Sequence, residues 1–270
     1  MGGDISPVDI NTLATFLADE QIKILEQASP VDCIVLCGSA IFHCAESVFS
    51  ALNTRPDLAK TLVICGGIGH STSFLYDAVA KSSKYAFLQP QTRHLGEARV
   101  LELIYEHCYI LKNGSQSGCK VLIEDKSTNC GANAIETRKV LDANGFPCPQ
   151  TFIIVQDPTM SRRTVASFQK VYSDFNSLPV FHSCPTFVPI VQMIDGEVNY
   201  DVVGVEAEEL WDTGRFLDLV LGEIPRLRDD SNGYGLRGKG FIVHVDIPSE
   251  VEQAYQRLKK VKSFRRGNHV

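Results

Sequence analysis

The sequence predicts an α/β protein with three layers, in which a mostly parallel sheet is covered by helices on both faces. A helical N-terminal segment and a C-terminal extension complete it. Three observations carry this reading. Short apolar runs recur along the chain ("VDCIVLCG", "TLVICGG", "CKVLIED", "TFIIVQD"), lacking the polar alternation of a half-exposed strand, as strands buried on both faces do. Stretches with helical spacing separate them. Each run ends in glycine or in polar residues, where a strand turns into a helix.

In chain order, residues 8–28 show helical spacing (Ile10, Leu13, Ala14, Leu17, Ile22, Leu25) and predict one or two covering helices. "VDCIVLCG" is the first strand and "AIFHCAESVFSAL" a helix. "TLVICGG" is the second strand, followed by helices at "FLYDAVAKS" and "EARVLELIYEHC". "CKVLIED" then leads into "NAIETRKVLDAN", stopped by Asn144-Gly145 with Pro147 beyond. "TFIIVQD", the helix "RRTVASFQKVY" and a short strand "LPVFHSC" follow. Beyond residue 190 the pattern loosens to a helix around 211–221, a Gly-rich charged loop and a strand at "FIVHVDI". The organisation is therefore a helical segment over 1–29, the sheet domain over 30–190, and an extension over 191–270 packed on the same domain.

Composition excludes several classes. At 270 residues with 44% hydrophobic and 21% charged residues, the chain can bury a large core. A net charge of −6 supplies no basic field for nucleic acid or acidic lipid. The basic end (Lys259, Lys260, Lys262, Arg265, Arg266) reads as a solvated tail. No run approaches the length of a membrane span, and the first twenty residues lack a basic segment followed by an apolar run. Nine cysteines, an odd number with no CxxC pair, suit reduced and mostly buried thiols, which points to a cytoplasmic protein. His43-Cys44 has no evident ligand partners, so no metal site is expected. The oligomeric state is left open.

Candidate site residues cluster at the strand ends, the edge where open α/β sheets bind ligands. In "CGGIGHST" the glycines Gly66, Gly67 and Gly69 allow a tight turn and close backbone approach, while His70, Ser71 and Thr72 supply donors. A structural turn and a binding loop both account for the glycines, and the loop is neither a Walker A motif nor a full G-x-G-x-x-G. In "IEDKSTNCGANA", Glu124, Asp125, Ser127, Asn129 and Asn133 exceed what helix capping needs, and the two asparagines are one turn apart. In "VQDPTMSRRTVASF", Asp157 ends a strand, while Arg162 and Arg163 oppose the helix dipole where acids are usual. That suggests a fork for a carboxylate or phosphate. Adjacent helical residues point about 100° apart, so one arginine is expected to face the ligand, with Arg163 favoured. Glu97, at a helix start, reads as structural from the residues alone. The segments 66–72, 124–133 and 157–163 are expected to converge on one pocket.

These phrases, together with "VDCIVLCGSA", "EARVL" and "RLRDDSNGYGLRGKGFIVHVDIPSEV", resemble the YdcF/SanA-like family and its YdcF branch in particular, over roughly residues 30–250. The resemblance implies a Rossmann-like sheet and a polar pocket that binds S-adenosylmethionine, with no established reaction. It adds Gly38 and Glu97 to the pocket. The wider family commonly carries an acid where this chain has Ala132, so a role for an acid there does not transfer.

Two functions follow as expectations. One is a binder of S-adenosylmethionine or a related nucleoside, with carboxylates on ribose hydroxyls and arginines or amides on the ligand's carboxylate. The "CGSA" turn departs from the G-x-G-x-G loop usual after the first strand of a methyltransferase, which favours binding over methyl transfer. The other is a hydrolase or transferase acting on a phosphate ester or pyrophosphate, with or without metal assistance.

Overall fold

Period-two burial sets the two faces of the sheet. In strand β1 (Val31–Cys37) the side chains of Ile34 and Leu36 enter one apolar cluster, while Cys33, Val35 and Cys37 enter the other. Strands β2 (Ala59–Cys65), β3 (Lys120–Glu124), β4 (Thr151–Val155) and β5 (Val180–Cys184) join it in a five-stranded sheet of order β3-β2-β1-β4-β5. Every pairing in it is parallel. All strand-to-helix turns therefore lie at one edge. The computed structural model describes residues 5–110 and 118–267, with side chains placed to residue 262.

Helices α1 (Pro7–Ala18), α2 (Phe42–Thr54), α3 (Thr72–Lys81), the short α4 (Gln89–Thr92) and α5 (Glu97–Tyr105) precede β3. Helix α6 (Cys130–Ala143) joins β3 to β4, and α7 (Ser161–Val171) joins β4 to β5. Helices α8 (Thr213–Leu227) and α9 (Ser249–Gly267) belong to the extension. Side chains of α6 and α7 (Ala134, Leu141, Val165, Phe168) pack on one face of the sheet. The other face is covered by α1, α2, α3, α5, α8 and α9 in one cluster running from Ile10 to Leu258. This is a Rossmann-like three-layer α/β/α fold. The extension shares its core, because Phe216, Val220, Ile224 and Leu258 are fully or nearly fully buried there.

Three expectations change. The run 241–247 forms no strand: Val243 N–H donates to Ala166 O of α7 and Ile242 N–H to Tyr234 O, so its backbone finds loop and helix partners instead of a ladder. An antiparallel hairpin, β6 (Val191–Ile194) with β7 (Glu197–Tyr200), occupies a stretch that showed no clear pattern. Its turn residues Asp195 and Gly196 have φ of 51° and 83°, the two positive values a tight hairpin turn needs, and Asp-Gly was the signal for it. The basic end continues as α9, where Lys262 pairs with Asp218. Side chains beyond residue 262, Arg265 and Arg266 included, lie outside those described.

Helix α6 ends as expected: Gly145 has φ of +83° and Phe146 N–H donates back to Leu141 O. No disulfide joins the nine cysteines, of which Cys33, Cys37, Cys44, Cys65, Cys119 and Cys184 are buried. Among the described residues, no helix is long and apolar enough to cross a membrane.

Candidate functional site at the carboxyl edge of the sheet

The strand order reverses between β1 and β4, so the loops leaving these strands turn to opposite sides and open a crevice at their ends. A cleft of about 810 Å³ lies there. Its floor begins at Gly38, whose N–H extends the ladder to Cys65 O at 2.8 Å. Glu97, the first residue of α5, folds over this glycine. A Cβ at position 38 would stand 2.4 Å from Glu97 Oε2 and 2.6 Å from its Cβ, which leaves room for glycine alone. Glu97 Oε1 accepts from Thr72 Oγ1 at 3.0 Å and Ser71 Oγ at 3.4 Å. Among the described residues Oε2 has no hydrogen-bond partner, and Glu97 lines the cleft. Burial pushes its carboxyl above the usual range, opposed by the Thr72 and Ser71 hydrogen bonds.

The polar stretch after β3 is used mostly by the loop itself. Glu124, 1% exposed, accepts from the N–H groups of Lys126 and Ser127 at 2.7 and 2.8 Å and from Ser127 Oγ at 2.6 Å. Ser127 Oγ in turn accepts from Gly67 N–H at 3.2 Å, tying this turn to the one after β2. The turns touch so closely that a Cβ on Gly67 would fall 2.2 Å from Ser127 O. Glu124 and Ser127 thus hold two loops in register and do not line the cleft. Asp125 pairs with Arg99 at 2.7 Å instead. Asn129 both caps α6, accepting from Ala132 N–H at 3.0 Å, and lines the cleft. Asn133 is buried one turn further on and does not reach it. Asn129→Ala should therefore lower stability by about 1 kcal/mol through loss of the cap, read as a shift in a urea midpoint. An unchanged midpoint would leave Asn129 without a capping role.

Asp157, at the end of β4, sits on the other side of the β1 terminus. Its Oδ1 accepts from Thr159 N–H at 2.9 Å and Thr159 Oγ1 at 2.6 Å, and Ser39 Oγ approaches Oδ2 at 3.5 Å. Burial pushes its carboxyl up to about 6, against the hydrogen bonds from Thr159. The two arginines that follow part company. Arg162 turns outward: its Nε donates to Phe16 O, Nη2 pairs with Asp19 at 2.9 Å, and the guanidinium lies 4.2 Å from the Phe16 ring centroid. It braces α1 and is not part of the cleft. Arg163 lines the cleft, but its fork already grips Glu223 of α8, with Nε to Oε2 at 2.5 Å and Nη2 to Oε1 at 3.1 Å.

The structure brings Gly38, His70, Ser71, Glu97, Asn129, Asp157 and Arg163 to one cleft. Gly66, Gly67, Gly69, Thr72, Glu124, Asp125, Ser127, Asn133 and Arg162 stand behind or beside it. Each of the three segments 66–72, 124–133 and 157–163 contributes a lining residue, all at the same sheet edge. The opposite wall comes from the extension: Trp211, Arg215, Glu223 and Arg226 on or just before α8, then Tyr234 and Phe241. Sequence reasoning assigned none of these to the site, nor Ser39, Cys130 and Lys170. The helical spacing of Arg215, Leu219, Glu223 and Arg226 was the available signal, a mixed-charge stripe on an otherwise amphipathic helix.

Fold and cleft together define an open α/β protein with its crevice at the topological switch point. No protein-family model matches the chain, so the reading of the site rests on its own geometry.

Proposed function

We propose that this chain is a YdcF-type protein that binds S-adenosylmethionine or a related nucleoside in the cleft between the β1 and β4 loops. The observation that carries the reading is Glu97 Oε2, a carboxylate oxygen without a hydrogen-bond partner among the described residues, held over Gly38 by bonds to the other oxygen. A sulfonium or ammonium group suits such a carboxylate, because a cation returns it to the charged form that burial disfavours. The aromatic side chains of Tyr234 and Phe241 on the opposite wall offer ring surface to a base.

Calorimetry tests this with S-adenosylmethionine and S-adenosylhomocysteine, the thioether that lacks the sulfonium charge and keeps the amino-acid end. Saturable binding of both is expected, and Glu97→Gln should weaken the sulfonium ligand about tenfold while changing the thioether much less, the loss of one close charge pair. Failure of both ligands to bind would end the nucleoside reading. Equal weakening of both would assign Glu97 to the ammonium that they share, and no weakening of either would remove the cation from Glu97.

One observation favours a second reading. Asp157, with its raised carboxyl pKa and Ser39 Oγ at 3.5 Å, has the surroundings of a general base. Hydrolysis of phosphate esters by the purified protein, with and without divalent metal and lost in Asp157→Asn, would replace the binding reading by an enzymatic one.

A further inference from the structure

Helix α7 presents Met160, Arg163, Ser167 and Lys170 to the cleft, at the three- and four-residue intervals that place side chains on one helical face. Helix α8 faces it with Arg215, Leu219, Glu223 and Arg226, again at intervals of three and four. Between the two stripes four cations meet one carboxylate. That carboxylate is fully engaged: Glu223 Oε1 accepts from Arg163 at 3.1 Å and from Arg226 at 2.6 Å, and Oε2 accepts from Arg163. The side-chain nitrogen of Lys170, Nζ, has no hydrogen-bond or ion-pair partner among the described residues, and it is the backbone carbonyl that accepts from Ser173. Arg215 lies over Phe74, 3.4 Å from its ring centroid, with no carboxylate at ion-pair distance among the described residues, although Asp157 feels its charge. Arg226 remains 43% exposed at its side chain while bonded to Glu223 through Nη1 alone.

We infer that the groove between α7 and α8 is an anion subsite, in which Lys170 and Arg226 receive a carboxylate or phosphate group of the ligand. The inference rests on the nucleoside reading for the remainder of that ligand. Three features argue for it. The Arg163–Glu223 fork is satisfied, so it serves as a rigid base that holds Arg226 by its neighbour without using all its donors. Lys170 supplies a point charge that no described residue pairs with, on a wall where apolar lining weakens screening. And the acids of the cleft, Glu97 and Asp157, stand at the strand ends, leaving the helical groove with an excess of positive charge. The site is thus polarised, with its acids over β1 and β4 and its cations between the helices. A ligand with a cationic centre and an anionic end fits that order, its anionic end directed away from Gly38 and toward the extension.

The test uses matched ligand pairs on the full chain: adenosine against adenosine 5′-monophosphate, and 5′-methylthioadenosine against S-adenosylhomocysteine. Inorganic pyrophosphate is measured alone. In the wild-type protein the anion-bearing member of at least one pair should bind about tenfold more tightly or better, as for hydrogen bonds to charged groups. The pair whose gap closes when Lys170 and Arg226 are both replaced identifies phosphate or carboxylate as the group bound, since the ammonium that S-adenosylhomocysteine also carries does not face Lys170 or Arg226. In Lys170→Ala/Arg226→Ala the gap should close, while the anionless members keep their affinity and the melting temperature holds, because Arg163 still satisfies Glu223. A gap that is absent in wild type, or that survives the double substitution, overturns the subsite. Should no nucleoside bind, the proposed function fails on its own and pyrophosphate decides: saturable binding lost in the double variant keeps the subsite, and no saturable binding removes it.

Discussion

Replacing Asp157 by asparagine should make the protein more stable relative to wild type at pH 7.5 than at pH 4, by about 2.5 kcal/mol. Burial raises this carboxyl from 3.8 to about 6. Well below 3.8 the folded and unfolded chains both carry the proton, and the residue contributes no pH dependence. Between the two values the unfolded chain releases its proton first, so folding loses stability as pH rises. Above about 6 both forms are ionised and the full penalty is present. Asparagine removes the titration and keeps the shape: its oxygen can accept from Thr159 N–H and Oγ1, and its amide can donate to Ser39 Oγ. Urea unfolding of both proteins at the two pH values measures the difference directly. A difference that stays constant with pH would show that Asp157 titrates normally in the folded state. A residue that costs stability at neutral pH and lines a cleft is the pattern expected where function, not folding, retains it.

Arg163→Ala should lower stability by about 3–5 kcal/mol at neutral pH, the cost of breaking a buried ion pair. Its side chain is 10% exposed and that of Glu223 only 1%, so truncation leaves a buried carboxylate with Arg226 as its remaining partner and opens a void in the cleft wall. Arg162→Ala should cost only about 1 kcal/mol, because its pair with Asp19 is partly solvated. The two arginines are adjacent in sequence and identical in chemistry, so the contrast isolates the environment. Guanidinium unfolding of both variants is the measurement, and equal losses would contradict it. Removing both charges together, as Arg163→Met/Glu223→Leu, should recover part of the loss, because no uncompensated charge remains in the core.

Legibility in the sequence followed the range of the interactions. Strands β1 to β5 could be read from short apolar runs because both faces of a parallel sheet are buried, which leaves no polar alternation to confuse the pattern. The turn residues Gly38, Gly67 and Asn129 were also readable, since backbone reach and helix capping act within a few positions. Errors arose where the partner was remote. Residues 241–247 carry an alternating apolar pattern, yet their backbone partners are Ala166 and Tyr234, which no local rule identifies. Glu124 and Ser127 read as ligand-facing groups in the sequence because an excess of polar residues looks the same whether it faces solvent, a ligand or another loop. Here Gly67 N–H, sixty positions away, absorbs it.

By itself the sequence determined the sheet, the edge at which its turns gather, and the asymmetry of adjacent arginines, all consequences of periodicity and chain geometry. Only the tertiary structure decided which side chains face the cleft. Glu97 reads as an ordinary acid at a helix start, and comes to line the cleft because Gly38, fifty-nine positions earlier, leaves the space it folds into. Lys170, Trp211 and Arg226 come to line the same cleft only when α8 packs against the sheet and closes the second wall. A residue's chemistry is local, but its exposure, its partners and the field around it are set by surfaces that the chain brings together from far apart.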